Sequence, residues 1–142
     1  MYLLDTNVLS EIRKPPRRAH PSVVAWTKSR DRDLAYISVI SLLEIEVGAL
    51  RLKRRDVVQG QILLDWLNGL RERYRNRKLV VDDRVAAACA PMHVPDPRSY
   101  QDALIAATAL VHDLTVATRN VKDFEPLGVR VFDPWDYEVS AT

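Results

Sequence analysis

Five short β-rich runs, "YLL", "LAYISV", "LVV", "LTVAT" and "VRVF", recur along the chain with helix-like stretches between them, and no other feature constrains the fold as strongly. Parallel strands need a crossover long enough to carry the chain back to the same edge, so strand and helix alternate. The longest helical stretches are expected near Asp56 to Arg75 and Ser99 to His112. The sequence therefore predicts an α/β fold, a Rossmann-like parallel sheet flanked by helices. In such a sheet the carboxyl ends of the strands share one edge, and ligands bind in the crevice there. A chain of 142 residues, 47% of them hydrophobic, supplies one core, and a single domain over residues 1–142 is expected. The Pro-dense "APMHVPDPRSY" reads as a shaped loop leading into the helix after Ser99.

Several classes of function are excluded early. The single cysteine, Cys89, has no partner for an internal disulfide or a Cys-rich zinc site, and its apolar surroundings suit a small buried hydrophobe. Asp5 interrupts hydrophobicity at once, so no signal peptide or membrane span is expected, and the reading is a soluble cytoplasmic protein. The formal charge of +2 neither demands nor excludes a nucleic-acid partner.

What stands out is the placement of acids. Asp5 follows the first run, Glu44 lies just beyond the second, and Asp123 follows the fourth; Asp102 opens the apolar helix "DALIAATALV". The first three map to the carboxyl edge of the expected sheet, and the Asp102 carboxylate would emerge at its helix's N-terminus. Three of the four have a structural explanation: Asp5 as an N-cap, and Ser41 to Glu44 and Ser99 to Asp102 as capping boxes. Helical spacing also leaves Glu44 and Glu46 unresolved as the acid of "SLLEIEVG". Clustered carboxylates without His or Cys suit a hard divalent cation such as Mg²⁺ or Mn²⁺. His20, His93 and His112 share no metal-ligand spacing, and no nucleophile elbow or Gly-rich phosphate loop is present.

The ordered set "LLDTNVLSEIRKP", "SLLEIEVG" and "DALIAATALVHDLTVATRNVKDFEPLGVRVFDPW" resembles PIN-domain ribonucleases, specifically VapC-type toxins of toxin–antitoxin pairs. That resemblance implies a PIN-like fold and a metal-dependent endoribonuclease whose acidic pocket is formed by Asp5, Glu44, Asp102 and Asp123. It favours Glu44 over Glu46, because the family's acid stands four residues before a glycine, here Gly48. It makes Thr6, Asn7, Thr118 and Asn120 supports of the carboxylates or of the ion's water shell, and allows either Asn120 or Asp123 to complete the site. The implied cofactor is Mg²⁺, with Mn²⁺ substituting. The implied partners are an RNA substrate, a tRNA or ribosomal RNA loop among the family's targets, a VapB-like antitoxin, and a second copy in a homodimer.

Candidate RNA contacts come from the basic runs: Arg13, Lys14, Arg17 and Arg18, Arg51 to Arg55, and "RERYRNRK" from Arg71 to Lys78, with Trp26 or Tyr74 as base-stacking aromatics. Most charged runs are solvated helix faces, and Tyr74 also extends the apolar set Leu63, Trp66, Leu67 and Leu70. Arg13 and Lys14, next to the first acid in sequence, are the preferred pair. Two rival functions remain. A haloacid dehalogenase-type phosphatase needs a second acid two residues after the first, where Asn7 stands. A catalytically silent binding module would carry four mutually repelling acids without use.

Overall fold

In a computed structural model, which describes residues 1–139, the five runs form β1 (Tyr2–Leu4), β2 (Ala35–Ser38), β3 (Lys78–Leu79), β4 (Thr115–Ala117) and β5 (Val131–Phe132). They make one sheet in the order β3-β2-β1-β4-β5, every pair parallel. Tyr2 lies opposite both Ala35 and Thr115, so β1 is central. The strand order reverses between β1 and β4, which opens a crevice beyond their carboxyl ends.

Among the described residues seven α-helices connect the strands: α1 (Thr6–Arg13), α2 (Pro21–Lys28), α3 (Val39–Lys53), α4 (Val57–Arg73), α5 (Asp83–Cys89), α6 (Tyr100–Val111) and α7 (Val121–Phe124). Their bounds follow local chemistry. Asp5 caps α1 and Pro15 follows its end; His20 caps α2, whose first residue is Pro21; Asp56 caps α4 by accepting the Gln59 N–H. Gly60 lets α4 fold back tightly against α3, since a Cβ there would stand 2.4 Å from Lys53 Cα.

Alternation along the strands sorts the core into two layers. Leu4 and Ile37 face α1 to α4 and pack with Val8, Leu9, Trp26, Leu42, Leu67 and Leu70. Leu3 and Val116 face the other way, against Ile105, Ala106, Ala109 and Phe124. Helix α6 is buried over Ile105 to Ala109, as its nearly uniform apolar sequence demands. Its N-terminus therefore emerges at the carboxyl edge of the sheet, fixed in place by the core. No helix among the described residues is long and apolar enough to cross a membrane.

Candidate functional site

Asp5 ends β1 and begins α1, so its carboxylate stands in the crevice beside β4. It is only 4% exposed. One oxygen accepts the Thr6 N–H at 2.8 Å; the other accepts the Thr118 hydroxyl at 2.8 Å and the Asn7 amide at 3.4 Å. The supporting groups are themselves held. Thr118 Oγ1 accepts from the Asn7 amide at 3.2 Å and from the Asn120 N–H at 3.0 Å, while Asn7 Oδ1 accepts the Arg119 N–H at 3.3 Å. A hydroxyl with one donated and two accepted bonds has no freedom left, and the Asp5 carboxylate is locked in orientation.

Glu44 lies on α3 facing the same crevice. The helix is capped by Ser38, whose hydroxyl accepts the Ile40 N–H at 3.0 Å. The capping box expected at Ser41 is therefore absent: Ser41 is inside the helix, its Oγ buried without a partner, and Glu44 has no helix end to serve. Asp102 sits in the first turn of α6, its backbone N–H reaching the Ser99 hydroxyl at 3.4 Å. Asp123, on α7, is the most exposed of the four. Glu46 turns the other way and pairs with Arg71 of α4 at 2.8 Å.

The electrostatics show that the four acids share one space. Burial pushes the Glu44 carboxyl up to about 7, and the neighbouring Asp5 and Asp102 carboxylates add to it. Burial likewise raises Asp102 to about 6, with Asp5 and Asp123 contributing. Asp5 is raised by burial and by Asp123, against the hydrogen bonds from Thr118 and Thr6 that favour its charge. None of the four takes part in an ion pair among the described residues.

These residues fit a hard divalent cation. The donors are all carboxylate oxygens, and among the described residues no cationic side chain is paired with them. Thr6 Oγ1 is buried and makes no hydrogen bond; it lies beside Glu44 and favours that carboxylate's charge without closing a bond to it. Among the described residues no three Asp, Glu, His or Cys side chains stand together as a group that could hold a metal ion. An ion that keeps several waters and takes one or two direct carboxylates does not require one.

A pH dependence follows. Between about pH 4 and pH 7 the folded chain holds protons on Glu44 and Asp102 that the unfolded chain has released, so stability without metal falls as pH rises through that window. A decrease in melting temperature on the order of 5 °C is expected from pH 5 to pH 8 in chelator. Millimolar Mg²⁺ should restore it at pH 8 and do little at pH 5. A flat profile in both conditions would show that the acids do not share one field.

The structure separates Arg13 and Lys14 from this cluster. They stand at the far end of α1, a helix of eight residues and so about 12 Å long. Arg13 lies over the Trp66 ring at 5.4 Å, and Lys14 pairs with Glu11 at 2.9 Å. The cations at the acidic edge are instead Arg119 and Lys122, exposed just after β4. Arg119 rests over Trp135 at 5.2 Å. The sequence reading missed both, although "TRNVKDF" places them within five residues of Asp123. The histidines serve elsewhere: His20 caps α2, His93 lies 3.6 Å from Cys89, and His112 ends α6.

Comparison with known proteins places this arrangement among relatives. The PIN domain family model matches residues 2–127. The chain is 36% identical to "Toxin FitB" of Neisseria gonorrhoeae, over 95% of this chain and 99% of that protein. It is 32% identical to "VapC ribonuclease Y4jK" of Sinorhizobium fredii, over 96% and 99%. The crystal structure of FitAcB from Neisseria gonorrhoeae superposes with a TM-score of 0.84 at 34% identity, covering 96% of this chain and 99% of that one.

Proposed function

The chain belongs to the PIN-domain family, and from that premise we propose that it is a Mg²⁺- or Mn²⁺-dependent endoribonuclease acting as the toxin of a VapBC-type toxin–antitoxin pair. The observation that carries the proposal is that Asp5, Glu44, Asp102 and Asp123 act on one another's charge at the crevice between β1 and β4, with none of the four in an ion pair among the described residues. The names of the relatives supply the rest: one is a toxin and another a ribonuclease.

Asp5, Glu44 and Asp102 would hold the ion, with Asp123 or Asn120 completing the site. A bound divalent cation supplies Lewis acidity, lowering the pKa of a water molecule and offsetting charge on the phosphate oxygens. The protein's own work is orientation. Thr118, Asn7 and the Thr6 N–H hold Asp5 in one rotamer, and the buried α6 fixes Asp102 opposite it. Water attacks phosphorus and the bond to the 3′ oxygen breaks, leaving a 5′-phosphate and a 3′-hydroxyl with no covalent enzyme intermediate. Lys122 and Arg119 stand where the flanking phosphates would pass.

The same reading includes protein partners. An antitoxin tail would present an Arg to the carboxylates and lay apolar residues along the chain. A cleft of about 160 Å³ between α1 and α2, lined by Ile12, Ala19, Val23 and Val24, suits such residues. Leu43, Val47 and Leu50 form an exposed stripe on α3, which suits a second copy of the chain.

The test is cleavage of single-stranded and structured RNA by the purified chain. Mn²⁺ or Mg²⁺ should switch activity on and chelator should abolish it. In cells, the chain alone should arrest growth and co-expression of the neighbouring small protein should restore it. Absence of cleavage of every RNA tried, with Mn²⁺ bound, would favour the silent module.

A further inference from the structure

At the opposite edge of the sheet, where the strands begin, a cavity of about 440 Å³ is walled by Trp26, Arg30, Arg32, Arg73, Tyr74 and Arg77. Its size is that of a small-ligand site, but its walls are strongly cationic. Asp31 is the one carboxylate on them, and it is turned into the turn at Arg32–Leu34, where it accepts the Asp33 N–H at 3.0 Å. No ion pair among the described residues involves any of the four arginines.

The four play different parts. Arg77 is spent on structure: it donates to the carbonyls of Arg32, Ala35 and Arg73 and lies 4.6 Å from the Tyr74 ring centroid. Arg30 is set rigidly, its guanidinium 4.0 Å from the Tyr2 ring and 4.1 Å from the Trp26 ring, yet it makes no hydrogen bond to an acid. Partial burial disfavours its charge. Arg32 and Arg73 are exposed. All four guanidinium groups act on the Tyr74 hydroxyl, favouring its ionised form, although burial outweighs them and pushes the phenol up. Like charges gathered this closely repel one another until an anion joins them.

We propose that this cavity is a second RNA-phosphate site, in which Arg30, Arg32 and Arg73 hold a phosphodiester of the substrate strand remote from the cleaved bond. The inference rests on the ribonuclease reading above. Two observations favour RNA over an acidic protein segment. The cationic surface is open on one side: Arg73 and Arg77 also wall a neighbouring cleft, which holds Asp33 and a Glu72 paired with Arg75 at 3.2 Å, and a site shared between two clefts suits a polymer that continues past it. The catalytic edge, moreover, gathers four acids, so affinity for a polyanion has to be supplied elsewhere on the molecule. Arg73, Tyr74 and Arg77 of the run "RERYRNRK", which helical periodicity assigns to an ordinary solvated face and core, meet Trp26 at this one place, whereas Arg71 pairs with Glu46 and Arg75 with Glu72. Trp26 is covered by Tyr2 and Arg30 and is 3% exposed, so its role is to seat Arg30 and not to stack on a base.

Binding is measured with the non-cleaving Asp5→Asn chain and a fluorescent single-stranded RNA of about thirty nucleotides, well beyond one local site. Adding Arg32→Gln and Arg73→Gln should weaken binding at least tenfold and reduce the salt slope by about 0.7, one phosphate contact's worth. Both side chains are exposed and support no described contact, so an unchanged melting temperature is expected. Arg30→Lys, which keeps the charge and loses the fork, should weaken binding less than Arg30→Gln. In the active chain, Arg32→Gln with Arg73→Gln should raise KM for the long RNA without changing kcat, and leave a fragment of about four nucleotides unaffected. Unchanged affinity and salt slope in the folded double variant would overturn the proposal. So would intact RNA binding with lost antitoxin binding, which would assign the cavity to an acidic segment of that partner. Arginine-dependent RNA binding by a chain that cleaves nothing would uphold the cavity and sink the nuclease reading.

Discussion

Replacing Asp5 by Asn is expected to reduce RNA cleavage by about a thousandfold or more while leaving the fold in place and, without metal, raising its stability. Two roles coincide at this residue, and the substitution separates them. As an N-cap, Asn serves about as well as Asp: the new amide oxygen still accepts the Thr6 N–H, now 2.8 Å away. The Thr118 hydroxyl, which donates to Asp5 at 2.8 Å and already accepts from Asn7 and Asn120, loses that acceptor where the new amide nitrogen faces it, at a cost of about 1 kcal/mol. What disappears is the charge. Loss of a buried carboxylate that raises Glu44 and Asp102 relieves both in the metal-free protein, so the melting temperature in chelator should rise at pH 8 and the stabilisation by Mg²⁺ should shrink. Single-turnover cleavage, Mn²⁺ titration and thermal melts read these three effects separately. Normal cleavage with normal Mn²⁺ affinity would leave Asp5 as a cap alone.

The fold was legible in the sequence because its signal is local and periodic. Each of the five β-rich runs is a strand, since an apolar run too short for a helix has few alternatives. The alternation demands crossovers and so a parallel sheet, but the order β3-β2-β1-β4-β5, with β1 at its centre, was not written in any one segment. Local signals misled where two residue types compete for one role. Ser41 three residues before Glu44 has the pattern of a capping box, yet Ser38, directly after β2, caps the helix first. Nearness in sequence misled at Arg13 and Lys14, because a helix of eight residues carries them away from Asp5. Arg119 and Lys122 were overlooked for the converse reason, being read only as neighbours of a motif. The cavity at the far edge was beyond reach: Arg30, Arg32, Arg73 and Arg77 come from two distant stretches, and only the pairing of β2 with β3 brings them together.

The acids of "SLLEIEVG" are the second large test, since periodicity alone left Glu44 and Glu46 tied. Glu44 faces Asp5 and Asp102 and is held near pH 7 by burial and their charge, whereas Glu46 forms an ion pair with Arg71 at 2.8 Å, both side chains about two-fifths exposed. Neutralising Glu44 removes a carboxylate from the shared space, so Glu44→Gln should lower cleavage by at least about a hundredfold and raise the metal-free melting temperature at pH 8. Neutralising Glu46 removes a solvent-screened pair worth about 0–1 kcal/mol, so Glu46→Gln should cleave within about twofold of wild type and melt slightly lower. The stability changes therefore run in opposite directions, and the activity changes differ by more than an order of magnitude. That contrast is hard to produce by general damage to α3, because the two residues are a half-turn apart on the same helix. Loss of cleavage and Mn²⁺ binding in Glu46→Gln, with both retained in Glu44→Gln, would move the site to the α4 side of the helix and undo the assignment of the crevice between β1 and β4.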